Sequence, residues 1–328
     1  MIRCLAFALA LCMILLPAAA EETPRAQLYE NELSEEQAWF AEDHAAFDPA
    51  WELFERVPMP DHPWFWVYKM PEDVYALFEP YQEELVISYL IIGEESALLW
   101  DTGLGIGNIR DCVDELTSLP VTVLNSHGDF DHIGGNALFD RVMCYHIDSV
   151  IEALTDGVTH EELMVWVDPD AIVNPPEDFS PDTFFVAGKA PTATVEDGQI
   201  IDLGGRQLEV VYTPGHTEAS IMLIDEQHGL LFTGDTWYPG PLFALMDDSS
   251  LPDYVESMGR AERIIRDRNI QWIYGSHNEV LPGTELFFET VDFLEDVLRG
   301  EISYEVEDGL REYIMDGLMS LYTLEEEP

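Results

Sequence analysis

Lysine is nearly missing from this chain: only Lys69 and Lys189 occur, and 14 basic side chains stand against 65 acidic ones for a formal charge of -51. A surface of that sign repels phosphate backbones and anionic lipid headgroups, so no nucleic-acid partner is expected. Cysteine is scarce as well, with four residues, of which Cys4 and Cys12 fall within the first 20. The other two, Cys112 and Cys144, do not stand in a metal-ligand spacing, and sequence leaves open whether they form a disulfide. Past the first 20 residues no apolar run approaches the ~20 residues that span a bilayer. No period of 20 to 50 residues marks a solenoid either. Apolar side chains are plentiful: 47% of the residues are hydrophobic and 11% aromatic, enough for a sizeable core.

Residues 1–20 read as a secretory signal: Met1-Ile2-Arg3, an apolar run over 4–16, then Pro17-Ala18-Ala19-Ala20 with cleavage after Ala20. The expected location is secreted or periplasmic, with no stable membrane anchor after cleavage. Residues 21–63 form an acidic extension with scattered Trp and Phe, read as a lid or clasp on the main body. The body is placed at 64–300 and a tail at 301–328. Within the body, strands are predicted over 66–68, 74–78, 85–92 and 97–100, with Gly93-Glu94-Glu95-Ser96 of hairpin length between the last two. A helix over 106–116 and strands over 121–124 and 142–145 follow, an alternation that implies parallel pairing. Residues 156–192, with Pro169, Pro175, Pro176, Pro181 and Pro191, read as an irregular insertion forming a lid or substrate wall. A second strand-rich block, a helix over 252–267, a strand over 272–274 and a helix over 284–299 complete the body. The two halves repeat one element order, which suggests two sheets face to face with helices outside.

The densest chemical signal is Asn125-Ser126-His127-Gly128-Asp129-Phe130-Asp131-His132-Ile133-Gly134-Gly135, which packs four potential ligands into six residues directly after a strand. In extended chain, i and i+2 point the same way, so His127 and Asp129 are able to share one metal, while Asp131 and His132 lie past the turn. Taken alone, the segment also fits a polar turn with an N-capping Asp and satisfied histidines. Three distant residues weigh against that reading: His216 after the strand ending at Tyr212, Asp235 after the strand ending at Phe232, and His277 after Tyr274. Side chains just beyond strand ends are where a sheet protein assembles a shared site. His44, His62, His146, His160 and His228 lie outside these positions and read as surface or satisfied groups.

With Asp101 in Trp100-Asp101-Thr102-Gly103, the chain resembles the metallo-β-lactamase superfamily of hydrolases, whose five sequence blocks occur in order over about residues 64–300. The resemblance implies a four-layer αββα sandwich, an α/β fold of mixed sheets with helices outside and the metals at one edge. It implies one or two divalent ions, zinc first with manganese or iron as alternatives. The first would be held by His127, Asp129, His216 and bridging Asp235, and the second by Asp131, His132, Asp235 and His277. Asp101 is implied to orient the second-block loop without ligating. A metal-bound hydroxide would attack an acyl carbonyl, with Asp131 orienting the water and accepting its proton.

One position departs from the family's H-x-H-x-D-H pattern: Asp129 stands where the second histidine belongs. Carboxylate is harder than imidazole, so the first site is expected to bind more weakly, to favour manganese or iron more, or to need a small backbone shift. The run Gly234 to Pro241 resembles the glyoxalase II-like and acyl-thioesterase branch, and Trp237 and Tyr238 are candidates to line the pocket for a small acyl substrate. Ester, thioester and lactone hydrolysis therefore lead. A β-lactam hydrolase, a metal-poor non-catalytic binding protein and a di-iron oxidoreductase relative are the alternatives, and the oligomeric state is left open.

Overall fold

Strands with apolar side chains on both faces need cover on both sides, and the computed structural model of the protein supplies it in layers. It describes residues 51–167, 171–307, 309–315 and 318–325. The signal-peptide reading, Cys4, Cys12, His44 and most of the acidic extension lie outside these residues.

In chain order the elements are β1 (Glu55–Val57), β2 (Trp66–Met70), β3 (Val74–Phe78), β4 (Ile87–Ile92), β5 (Ala97–Trp100), α1 (Ile109–Leu116), β6 (Val121–Leu124), α2 (Phe130–Ile133) and β7 (Val142–Tyr145). Helix α3 (Asp148–Asp156) leads into the insertion, which carries β8 (Gly157–Val158), α4 (His160–Leu163) and β9 (Val186–Ala187). The second half holds β10 (Ala193–Val195), β11 (Ile200–Asp202), β12 (Gln207–Tyr212), β13 (Ile221–Asp225), β14 (Leu230–Gly234), β15 (Pro241–Ala244), α5 (Leu251–Asp267), β16 (Trp272–Gly275) and α6 (Glu285–Leu298). Strands β17 (Glu305–Glu307), β18 (Leu310–Ile314) and β19 (Ser320–Leu324) close the chain.

The first sheet runs β1-β2-β3-β4-β5-β6-β7-β10 and the second β11-β12-β13-β14-β16. Both start antiparallel and turn parallel, at β5/β6 in one and at β14/β16 in the other. Alternation along each strand sorts the core into layers. On β4 and β5, Ile87, Tyr89, Ile91, Leu98 and Trp100 meet Leu208, Val210, Phe232 and Tyr274 between the sheets. Leu90, Ala97 and Leu99 face outward onto Ile109, Cys112 and Val113 of α1. The second sheet's outer face is covered by Tyr254, Met258, Ala261 and Ile265 of α5 and by Phe287, Val291 and Leu294 of α6. The four-layer αββα sandwich is thus the observed architecture.

Three boundaries differ from the sequence reading. The first sheet begins upstream of residue 64, because β1 pairs with β2 (Arg56↔Tyr68) and Trp51 stacks on Tyr68 and Phe78 at 4.5 and 5.0 Å. The segment read as a tail from 301 forms β17 to β19, joined to the body by β19 pairing parallel with β15. Its anchors, Met319 and Leu321, are buried in the outer core. The insertion holds short elements, including a capping box of Thr159 with Glu162 at the start of α4. Cys112 and Cys144 are separate, buried free thiols, and burial pushes both up to about 12, which leaves them inert as nucleophiles.

Candidate metal centre

Parallel strands end together, and five of this chain's strands deliver their following residue to one edge of the sandwich. Asp101 follows β5, His127 lies three residues past β6, His216 past β12, Asp235 directly after β14 and His277 past β16. Backbone contacts sew the two sheets together there: Ile87 donates its N–H to the Ser276 carbonyl at 2.7 Å, and the Tyr89 hydroxyl donates to that of Gly275 at 2.6 Å.

The seven sequence-predicted side chains converge at that edge. Potential ligand atoms of His127, His216 and Asp235 lie within 4.8 Å of one another, as do those of Asp131, His132 and His277. Asp129 Oδ2 is 3.4 Å from Nε2 of both His127 and His216. Asp235 reaches across both groups: Oδ1 is 3.2 Å from His132 Nε2, and Oδ2 is 3.0 Å from His277 Nε2 and 3.8 Å from His216 Nε2. Asp131 Oδ2 lies 3.2 Å from His132 Nε2 and 3.5 Å from His277 Nε2.

All four histidines turn the same nitrogen inward because the other one is engaged. Nδ1 of His216 donates to the Phe243 carbonyl (2.8 Å) and Nδ1 of His277 to that of Glu84 (2.6 Å). Nδ1 of His132 meets Asp101 Oδ2 (3.1 Å) and Nδ1 of His127 meets Ser126 Oγ (2.9 Å). Each Nε2 is thereby left as a lone pair in the neutral ring. Those of His132 and His277 face each other at 3.3 Å. The buried Nε2 atoms of His127 and His216 make no hydrogen bond to any described residue. Lone pairs and carboxylates converging in this way fit divalent cations.

The supporting shell is equally ordered. Asp101 is fully buried and left-handed at φ 62°. Its Oδ1 accepts from the Ser126 N–H (2.7 Å), and its Oδ2 accepts from Ser126 Oγ (2.8 Å) and from His132. Asn125 donates to the His132 carbonyl and accepts from Asn136, which also accepts from Thr102. Gly134 lets α2 approach the loop below, since a Cβ there would sit 2.2 Å from the Leu104 backbone. Gly215 (φ +151°) has no room for one either, because Tyr254 of α5 packs against it. Tyr254 in turn donates to the Asp235 carbonyl at 3.0 Å. Ser126, Asn125 and Asn136 were visible only as neighbours of ligands. The Glu84 and Phe243 contacts use backbone carbonyls, which no residue pattern reveals.

Two further carboxyls sit close by. Glu79 is buried and raised to about 7 by that burial, against the hydrogen bonds from Trp64 Nε1 and the Leu104 N–H. Glu84 is pushed up to about 8 by burial and by Asp131, with His277 opposing and Glu83 and Asp235 adding to the rise. The two pocket candidates part ways. Tyr238 lies 4.8 Å from the His277 ring. The Trp237 indole instead turns into the outer core, 5.4 Å from Phe287, and donates to Thr290 Oγ1, so it does not line the pocket. His62, His160 and His228 bond elsewhere, to Glu115, the Phe184 carbonyl and Asp225, and His146 is exposed, 3.9 Å from Glu196.

Charge coupling gives a pH signature once metal is stripped. Burial disfavours the charged rings of His216 and His277, but Asp129 and Asp235 for the first, and Asp235 and Asp131 for the second, raise both from 6.5 to about 9. A raised histidine contributes stability that is full below 6.5 and lost as pH climbs through 9. The chelated protein is therefore expected to melt at progressively lower temperature from pH 6.5 to 9, while metal affinity rises over that interval as protons leave. A melting temperature in EDTA that stays flat across this range contradicts the coupling.

The Metallo-beta-lactamase superfamily model matches residues 83–277. Human acyl-coenzyme A thioesterase MBLAC2 is 34% identical over 209 residues, covering 60% of this chain and 71% of the relative. Probable metallo-hydrolase MJ0888 of Methanocaldococcus jannaschii is 31% identical over 206 residues, covering 59% and 87%. Among solved structures, the DIM-1 metallo-β-lactamase superposes with a TM-score of 0.51 at 14% identity, covering 72% of this chain and 99% of that one. The inverting sec-alkylsulfatase Pisa1 from Pseudomonas sp. gives 0.54 at 13%, covering 71% and 42%. At such identities the structural likeness is one of fold.

Proposed function

The chain belongs to the metallo-beta-lactamase superfamily and is a hydrolase, and from that premise we propose that it hydrolyses a small acyl thioester, ester or lactone at a dinuclear metal centre, water adding to the carbonyl carbon and the C–S or C–O bond to the leaving thiol or alcohol breaking. The observation that carries this reading is the set of four inward Nε2 atoms meeting three carboxylates at one sheet edge. His127, Asp129, His216 and Asp235 would hold one divalent ion, and Asp131, His132, His277 and Asp235 the other. Such ions supply Lewis acidity, which polarises a carbonyl oxygen and acidifies water.

The chain's own residues do the rest. Burial alone would favour the neutral form of Asp131, but the facing rings of His132 and His277 hold its carboxyl below the usual range. It therefore stays ionised at neutral pH and accepts the proton of the attacking water. Tyr238 is buried, with Asp235 as its leading charged neighbour, and both effects keep its phenol protonated. That hydroxyl donates a hydrogen bond to the oxygen on which charge develops. Phe130, set between Asp129 and Asp131, packs on Trp166 at 5.2 Å, with Met164 and Val165 exposed beside it. This apolar wall suits an acyl group.

Tyr238→Phe is expected to lower kcat roughly tenfold to a hundredfold, with metal content and KM nearly unchanged. An unchanged kcat would remove the tyrosine from the chemistry. The function itself is tested by offering metal-reconstituted protein a panel of acyl thioesters, esters, lactones and β-lactams. Turnover of thioesters or esters supports the reading, and turnover of β-lactams alone, or of nothing, contradicts it.

A further inference from the structure

Asp129 stands at the N-cap of α2, the position where an aspartate ordinarily bonds the backbone N–H groups of the first turn. It makes no such bond. Its carboxylate turns instead to the two buried ring nitrogens without partners among the described residues, at 3.4 Å from Nε2 of His127 and of His216. A capping role does not explain that orientation, and a ligand role does.

With Asp129 in place, both halves of the centre have one composition. His127, His216, Asp129 and the shared Asp235 offer two imidazoles and two carboxylates, and so do His132, His277, Asp131 and Asp235. A third imidazole in one half would make that half softer and favour zinc, whereas two imidazoles with carboxylate oxygens suit manganese(II) and iron(II) better. The extra negative charge acts in the same direction on both halves through Asp235. Resting on the metal-hydrolase reading above, we propose that Asp129 sets the metal preference of the centre, lowering selectivity for zinc over manganese(II) and iron(II) by about tenfold or more relative to a histidine in its place.

The test is metal competition. Stripped wild type, Asp129→His and Asp129→Asn are equilibrated anaerobically with a chelator-buffered mixture of zinc, manganese(II) and iron(II), and bound metals are counted by elemental analysis. Circular dichroism establishes that each variant is folded. Wild type is expected to bind two ions. Asp129→His should raise the zinc-to-manganese and zinc-to-iron ratios about tenfold or more. Asp129→Asn keeps the shape without the charge, so its stoichiometry should fall towards one, and the manganese-loaded protein should lose the electron paramagnetic signature of a coupled pair. Equal ratios in wild type and Asp129→His overturn the proposal. If the histidine variant does not fold, an unchanged stoichiometry and coupled signal in Asp129→Asn overturn it equally. A wild-type chain that takes up none of the three ions contradicts the hydrolase reading instead.

Discussion

Asp235→Asn is expected to reduce hydrolysis on the order of a thousandfold and to bring metal content below two ions per chain. Asp235 follows β14 directly and, among the described residues, is the one carboxylate that approaches histidines of both halves, at 3.2 Å from His132, 3.0 Å from His277 and 3.8 Å from His216. An amide of the same shape offers one weak acceptor oxygen and no charge, so it is unable to bridge two cations. Burial opposes the charge on this carboxyl, and His132 and His277 overcome that to hold it well below the usual carboxylate range. Removing it therefore also leaves histidines facing one another without their counter-charge. The fold should survive, because its two outer cores and the inter-sheet core lie away from this edge. Elemental analysis with a thioester assay checks the point, and near wild-type turnover with two ions bound would remove Asp235 from the bridging role.

Asp101→Asn should act through a different route. The residue adopts φ 62°, a left-handed conformation that asparagine tolerates, so the exchange isolates the loss of charge from backbone strain. The native carboxylate collects the Ser126 N–H, the Ser126 hydroxyl and His132 Nδ1, and an amide has to turn its NH2 towards at least one of these donors. Ser126 in turn receives the ring of His127, so a single substitution loosens a ligand in each half of the centre. Metal affinity is expected to fall 10- to 100-fold, the range seen for partners of metal-bound histidines. At saturating metal the rate should return to near the wild-type value. A rate that stays depressed with both sites filled would show that Asp101 acts on the reaction rather than on ligand orientation.

Why these residues were legible in the sequence, and others were not, follows from the physics of the fold. Strands at 74–78, 97–100, 121–124 and 142–145 match the predicted spans because they are short, largely apolar runs, buried or half-buried on both faces and bounded by turn residues. Ligands placed just past strand ends need no long-range inference, since parallel strands finish at a common edge. The helix predicted from 106 begins at Ile109, because Asn108 caps it and accepts from the Asp111 N–H. Strand β1 was missed because Glu-Arg-Val at a sheet edge carries almost no apolar signal. Trp237 and Tyr238 are adjacent buried aromatics of one outer core, of which Tyr238 approaches the His277 ring, and pattern alone does not say which of the two does so. The backbone carbonyls of Glu84 and Phe243 that fix two histidine tautomers are invisible to any residue-type argument.

Anomalous diffraction from crystals of the metal-loaded protein shows whether the seven dispersed side chains jointly hold two divalent cations. Two peaks are expected at the shared edge of the sheets, one against His127, Asp129, His216 and Asp235 and one against Asp131, His132, His277 and Asp235. Peaks elsewhere, or none at that edge in crystals grown with the metal in excess, would contradict that joint ligation.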